Sequence, residues 1–284
     1  MYELTNDTLT ITLLDPVADR DRMGPRYCTG GYIFQIADAT GPLLSGPSYP
    51  ESFNWFDGQG IPDSFAQGAL RDPDAPSAQA LIPGIGVCDT VARRVLEFCE
   101  WEVRPDTERA TFSTAHAWGP YSLRLTREVT LQGRVVTSTT RVDNPGRTQL
   151  PIRWFPHPFY PVPPRDRPRD SGRAAGVEYR DEPLCRLPAP VRVPEGTTYT
   201  NGPGGYLRCS DLSEQQAVPV TCNPNGPLTV LQRHPRLGLV AAGYTFAAEH
   251  VLVWGNPNTF SFEPYLEQTV GGGMALEWTA SYLF

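Results

Sequence analysis

One of the chain's histidines lies between two prolines in the segment RWFPHPFYPVPP, residues 153–164. A proline fixes its own φ and restricts the residue before it, so the backbone direction at His157 is tightly constrained. The chain has only four histidines, and an imidazole held in one direction suits proton transfer near neutral pH. The alternative is a histidine that merely satisfies hydrogen bonds inside an aromatic core, and this segment alone does not separate the two.

The second candidate is a glutamate among aromatic residues in FSFEPYLEQ, residues 260–268. Strand alternation would turn Glu263 away from Phe262 and onto the face of Ser261 and Tyr265. Such a carboxylate is either exposed at a sheet edge or held in a pocket with a raised pKa, and a raised pKa suits a general base. A carboxylate and an imidazole together indicate acid–base chemistry, which needs no cofactor.

The common cofactor and nucleophile motifs are absent from the sequence. It contains no GxGxxG opening a helix, no GK[ST], no HExxH and no GxSxG. The six cysteines are scattered, with no CxxC pair and no Cys/His cluster at zinc spacing, so we expect reduced thiols, mostly buried, and no metal site.

Composition narrows the function classes further. The net charge is −7, and all 24 basic residues are arginine, so no concentrated positive face for nucleic acid is expected. The sequence contains no run of about 18 apolar residues, which is the length needed to cross a bilayer. The first residues lack the basic and apolar regions of a signal peptide, which predicts a cytoplasmic location.

The elements that must position the candidates are predicted to be strands. YSLRLTREVTL (121–131) alternates polar and apolar residues except at Arg127, and it forms a hairpin with VVTSTTRV, residues 135–142. The C-terminal MALEWTASYLF alternates too and should close the sheet system. Further strand candidates are 9–14, 32–37, 109–117, 228–232, 237–246 and 250–254. With 26 glycines and 30 prolines, long helices are disfavoured, and a single all-β antiparallel sandwich domain over 1–284 is predicted.

Two segments depart from this pattern. CDTVARRVLEFCE (88–100) has helical character, with Asp89 as its N-cap. The arginine- and proline-rich residues 162–176 cannot pack a core and are predicted to form a surface loop. That loop either grips an anionic group of a substrate or is a solvated connection with internally balanced charge.

The order of these segments resembles the galactose mutarotase-like, aldose 1-epimerase-related proteins over roughly residues 5–284. The hairpin ends in VDNPG, like the family's N-x-G turn, and LPIRWFPHPFY is similar to its histidine segment. The ending from residue 251 looks like the family's pocket glutamate, glycine turn and final W-x-x-x-Y strand. DRDRMGPRYCTGGYIFQI (19–36) resembles an arginine-bearing loop of one subgroup.

The resemblance implies a β-supersandwich whose concave face binds a monosaccharide without a cofactor. In that family a glutamate is the base and a histidine the acid, which implies Glu263 and His157 for a carbohydrate isomerase of the aldose 1-epimerase type. The aromatic rings of Trp154 and Phe159 would stack on the sugar. Arg26 is the substrate-holding candidate.

One departure from the family leaves the reaction open. Better-known members carry a second pocket histidine upstream, and the matching ALIPGIGVCDT has none. His116 lies too late in the chain to match cleanly and is either a pocket residue or an ordinary strand residue. A lyase or hydrolase using the same acid–base pair, and a non-catalytic carbohydrate-binding domain, therefore remain alternatives.

Overall fold

The computed structural model describes residues 1–46, 58–162, 185–188, 190–209, 215–222 and 226–284. In chain order the strands are β1 (Tyr2–Thr5), β2 (Thr10–Leu13), β3 (Ile33–Asp38), β4 (Gly41–Pro42), β5 (Asp63–Ser64), β6 (Gln79–Ile82), β7 (Gly86–Asp89), β8 (Arg94–Phe98), β9 (Glu102–Pro105), β10 (Arg109–Trp118), β11 (Tyr121–Gln132), β12 (Val135–Asp143), β13 (Leu150–Pro156), β14 (Tyr160–Pro161), β15 (Cys185–Arg186), β16 (Tyr199–Asn201), β17 (Tyr206–Cys209), β18 (Gln216–Val220), β19 (Leu228–His234), β20 (Gly238–Tyr244), β21 (Val251–Gly255), β22 (Thr259–Pro264), β23 (Leu266–Val270) and β24 (Ala275–Leu283). The helices of the described residues are short 3-10 turns, at Arg20–Arg22, Ala66–Gly68 and Pro203–Gly205.

The strands form five sheets, and every pairing among the described residues is antiparallel. The largest sheet has ten strands in the order β16-β17-β15-β19-β20-β24-β12-β11-β10-β9. Two smaller sheets position the site, β23-β13-β5 and β14-β22-β21-β18. The all-β antiparallel architecture predicted from the sequence is confirmed.

The period-two segments occupy the centre of the ten-stranded sheet. β11 and β12 form the predicted hairpin, joined after the pair Gln132–Val135 by a two-residue link. Gly133 begins that link with φ 55°, a left-handed conformation that glycine adopts without strain. β24 pairs with β12 along its whole length and joins it to β20. The C-terminal strand thus completes the sheet, as predicted.

The helix predicted over 88–100 is wrong. β7 and β8 form a hairpin there, and β7 also pairs with β6. Asp89 Oδ1 accepts hydrogen bonds from the amides of Val91 (3.0 Å) and Ala92 (2.7 Å), so the presumed helix cap caps a turn instead. An aspartate side chain bonds the following amides in a turn as well as in a helix, so a cap alone does not distinguish the two.

Two apolar clusters lie beneath the sheets. The main core contains buried side chains of β2, β11–β13 and β19–β24. A smaller cluster surrounds the segment after β13 and consists of Leu14, Met23, Tyr27, Tyr32, Phe159 and Trp254.

Three further predictions concern the loop at 162–176, the cysteines and membrane spans. The loop predicted at 162–176 lies outside the described residues except for Val162. The six cysteines are free thiols, as predicted. None of the helices in the described part of the chain is long and apolar enough to cross a membrane.

Candidate functional site

The backbone around His157 is held on both sides by the segment 60–64. β13 ends at Pro156, which pairs with Asp63 of β5. The amide of His157 donates to the Pro62 carbonyl at 2.7 Å, and the Phe159 amide donates to the Gly60 carbonyl at 2.7 Å. The flanking prolines donate no amide hydrogen bond, so these contacts and the restricted φ angles together set the direction of the imidazole.

Glu263 comes from β22, an inner strand between β14 and β21. Phe260 and Phe262 of this strand are fully buried in the main core, where both pack against Tyr160. Alternation turns Ser261 and Glu263 to the opposite face, which is also buried. The strand is therefore buried on both faces, with polar groups on only one of them.

The structure brings His157 and Glu263 into direct contact. His157 Nε2 and Glu263 Oε1 are 3.1 Å apart, and the two side chains are 1% and 3% exposed. Tyr265 Oη donates to the other carboxyl oxygen, Oε2, at 3.4 Å. Gln67 Nε2 in turn donates to Tyr265 Oη at 3.0 Å. Each carboxyl oxygen thus has a separate partner.

Aromatic rings enclose the pair. Phe159 stacks on the imidazole of His157 with ring centroids 4.4 Å apart, and Trp254 meets it edge-on at 5.3 Å. Tyr27 approaches the same ring edge-on at 6.0 Å. The ring face that Phe159 turns toward the site is stacked on the imidazole and is not free to stack on a sugar, contrary to the role predicted for it.

Burial drives both titratable groups toward their neutral forms. It raises the pKa of Glu263 to about 8, against the opposing effects of the Arg26 charge and the Tyr265 hydrogen bond. It also lowers the pKa of His157 well below its usual value, and the Arg26 charge lowers that pKa further. Near neutral pH the pair therefore holds a carboxylic acid beside a neutral imidazole.

Two buried polar atoms next to the pair lack partners. Within the described residues His157 Nδ1 makes no hydrogen bond, and neither does Ser261 Oγ, which shares a strand face with Glu263. Buried polar atoms in native proteins nearly always find partners, and these two share their unpartnered state with core atoms such as Tyr160 Oη and Trp278 Nε1.

Arg26 lies close enough for its charge to act on both members of the pair. Its guanidinium carbon is 5.0 Å from the ring centroid of Tyr27, and the Arg26 carbonyl accepts a hydrogen bond from Ser64 Oγ at 2.6 Å. The sequence-predicted arginine, histidine and glutamate are thus brought together.

Solved structures match this architecture along nearly the whole chain. A galactose mutarotase related enzyme from Lactobacillus acidophilus superposes with a TM-score of 0.63 at 13% identity, covering 99% of this chain and 96% of the other. The chain has the galactose mutarotase-like fold. A galactose mutarotase-like protein from Lactobacillus casei gives 0.56 at 11% identity, covering 100% and 99%. One from Clostridium acetobutylicum gives 0.54 at 11%, covering 99% and 93%. No family model and no curated protein matches the sequence.

Within this mutarotase-like fold, two predicted site residues lie away from the pair. Trp154 is 2% exposed in the main core, where it packs edge-on against Phe246 and Trp278 at 5.8 and 5.3 Å. A sugar-stacking role does not fit that position, because the residue at the imidazole is Trp254.

His116 Nε2 accepts a hydrogen bond from the Gly84 amide at 3.1 Å, and burial lowers the His116 pKa to about 4. It is a neutral acceptor that holds a turn, which is the ordinary strand role considered from the sequence.

Three residues at the site were not assigned a role from sequence. Tyr265 lies in the quoted glutamate segment, and its place on the Glu263 face was the available signal. Trp254 is the last residue of the predicted strand 250–254, and no residue next to it in the sequence indicated a role at the site. Gln67 lies in a 3-10 turn and carried no signal at all, because its contact with Tyr265 joins distant parts of the chain.

Proposed function

We propose that this protein is a cofactor-independent carbohydrate isomerase of the aldose 1-epimerase type that acts on a monosaccharide. The observation that carries the proposal is the contact between His157 and Glu263, 3.1 Å apart and buried. Support also comes from the fold, which is shared with a galactose mutarotase related enzyme. The described residues contain no group of three or more His, Cys, Asp or Glu side chains that could hold a metal.

Adjacent acid and base groups suit this reaction. Interconversion of anomers removes the proton of the anomeric hydroxyl and adds one to the ring oxygen, and both oxygens are bonded to the same carbon. Groups that reach both must therefore be neighbours, as His157 and Glu263 are. The ring then opens to the aldehyde, rotates and recloses on the other face.

Protons balance if the pair works as a relay. At rest the carboxyl proton of Glu263 lies toward His157 Nε2, and the ring proton of the imidazole lies on Nδ1. His157 gives the Nδ1 proton to the sugar's ring oxygen and takes the Glu263 proton at Nε2. The resulting carboxylate takes the anomeric hydroxyl proton, so Glu263 is the base and His157 the acid. Ring closure reverses each transfer.

Arg26 assists by its charge. It favours the ionised form of Glu263, which opposes the effect of burial at the moment when the carboxylate forms. We assign the unpartnered Ser261 Oγ, on the same strand face as Glu263, to a hydrogen bond with a sugar hydroxyl. Arg26 and Ser261 are therefore assigned to binding and charge stabilisation, and the proton transfers to His157 and Glu263.

The test measures anomer exchange by NMR in freshly dissolved α-D-glucose and α-D-galactose. Wild-type protein should accelerate exchange, and His157→Asn and Glu263→Gln should each lower turnover by about 10²–10⁴-fold. The double variant should be little worse than the more damaging single one, because the two groups act as a unit.

Three outcomes would contradict the proposal. Full turnover in both single variants would remove the catalytic assignment. Sugar binding by the wild type without exchange would favour a carbohydrate-binding domain, and formation of a new product would favour a lyase or hydrolase. His116→Asn is the matched control, because His116 is a buried histidine that bonds only a backbone amide in the described structure.

We also propose a cytoplasmic location. The six cysteines are free thiols, three of them fully or nearly fully buried. Free thiols persist in a reducing compartment and tend to pair in an oxidising one. Mass spectrometry of the protein purified with a thiol-blocking reagent should find all six alkylated after unfolding, and disulfide-linked peptides would contradict the assignment.

A further inference from the structure

A buried arginine lies in the inward row of β11. Leu125, Val129 and Leu131 of this row are buried in the main core, and Arg127 between them is 2% exposed. A buried charge is costly unless it is paired and hydrogen-bonded, so its retention needs a reason. The proposed reaction does not use Arg127 directly.

The guanidinium of Arg127 joins the ten-stranded sheet to two segments of the site. Its Nη1 donates to the Gly30 carbonyl at 2.7 Å, and its Nη2 forms a short ion pair with Asp63 Oδ2. On its own sheet, Nε donates to Thr140 Oγ1 at 3.3 Å and Nη2 to Ser138 Oγ at 3.1 Å. The guanidinium is thus bonded both to its own sheet and to the segments that contain Gly30 and Asp63.

Asp63 is where this network meets the catalytic histidine. It pairs with Pro156 in β13, directly before His157, and the carbonyl of the preceding Pro62 accepts the His157 amide at 2.7 Å. The Asp63 carbonyl also accepts the Cys28 amide at 2.8 Å. The segment that carries Arg26 is therefore tied to the same point.

We propose that the Arg127–Asp63 pair is a positioning device that holds His157 against Glu263. This inference deepens the proposed function and rests on it for its catalytic readout. His157 follows β13, and Glu263 lies on β22. Strand pairing joins their flanks, Trp154 with Leu266 and Tyr160 with Phe260, and the Arg127–Asp63 pair adds a third attachment at Pro156, directly before His157. Arg127 supplies a fixed attachment for the histidine side, because an arginine fork bonded at several points has little freedom to move.

The test removes both charges together with Arg127→Met and Asp63→Asn, since either change alone would leave one buried charge unpaired. The matched control is Arg141→Met with Asp143→Asn, a partly exposed Arg–Asp pair 2.7 Å apart on the neighbouring strand β12. The first readout is kcat and KM for α-D-glucose or α-D-galactose. The second is the ¹⁵N NMR signal of the His157 ring without sugar, assigned by comparison with His157→Asn.

We expect the Arg127/Asp63 double variant to lose about 10–100-fold in kcat, the scale of a misplacement of about 1 Å. Its KM should change less than its kcat, since contacts to the sugar from β22 do not depend on Asp63. The His157 ring nitrogen signals should move. The control should match the wild type in all three measurements.

Unchanged His157 signals in the folded double variant would overturn the inference, whatever the turnover. If the wild type exchanges neither hexose, the proposed function fails, but the ring signals still decide the positioning role. If the double variant does not fold, Ser138→Ala with Thr140→Val removes two of the guanidinium's bonds and keeps the ion pair. A smaller shift of the same His157 signals then supports the inference, and no shift overturns it.

Discussion

Replacing Glu263 by glutamine should stabilise the protein above neutral pH, although it removes a proposed catalytic group. Burial raises the Glu263 pKa to about 8 in the folded chain, from an ordinary value near 4.5. Between these values the unfolded chain has lost the proton and the folded chain keeps it, so the wild-type free energy of unfolding falls as pH rises. Glutamine keeps the shape of the side chain and does not titrate.

The magnitude follows from the pKa interval. At 1.36 kcal/mol per pKa unit, the interval from 4.5 to about 8 corresponds to about 5 kcal/mol in total. The histidines with lowered pKa act in the opposite direction below about pH 6.5, so the window from 6.5 to 8 isolates Glu263. In that window the variant should gain about 2 kcal/mol relative to the wild type.

The assay is urea unfolding followed by tryptophan fluorescence at pH 6.5, 7.2, 8 and 9. The difference in unfolding free energy should grow up to about pH 8 and then level off. Glu277→Gln is the control, because it removes one carboxyl group from a side chain that is 55% exposed. A Glu263→Gln difference that stayed constant from pH 6.5 to 8 would refute the argument that burial controls this carboxyl.

Three further results are expected. Turnover should fall above about pH 8, where Glu263 loses its carboxyl proton, and Tyr265→Phe should move that fall to higher pH, because the Tyr265 hydrogen bond lowers the Glu263 pKa; pH–rate profiles measure both. His116→Ala should leave the Gly84 amide without an acceptor, lowering the free energy of unfolding by about 1–3 kcal/mol with turnover unchanged. Trp154→Ala should lower the free energy of unfolding by about 3–5 kcal/mol, because Trp154 is a core residue, and thermal unfolding of the variant would show this loss.

Local patterns in the sequence were enough for the long strands of the ten-stranded sheet and for the orientation of the glutamate. The period-two segments became β11, β12 and β24, because alternation matches a sheet with one buried face. The same alternation put Glu263 on the face opposite Phe262. Residues 88–100 were mistaken for a helix, since Asp89 caps a turn by the same hydrogen bonds. These results depend on neighbours in the chain.

The tertiary structure alone decided what the candidate residues touch. The sequence indicated a constrained His157 and an inward Glu263 but carried no information on the distance between them, because their segments are far apart in the chain and meet only through strand pairing. Trp154 and Trp254 were equivalent aromatic residues until packing placed one in the core and the other at the imidazole.

The contacts of Arg127 were likewise not predictable from the sequence. Its place in an apolar row was visible as an irregularity, but its partner Asp63 comes from a two-residue strand with no pattern of its own. The raised pKa of Glu263 likewise depends on burial by residues far apart in the chain. Periodicity reports which side of a strand is buried, whereas electrostatics and contacts depend on which other segments cover that side.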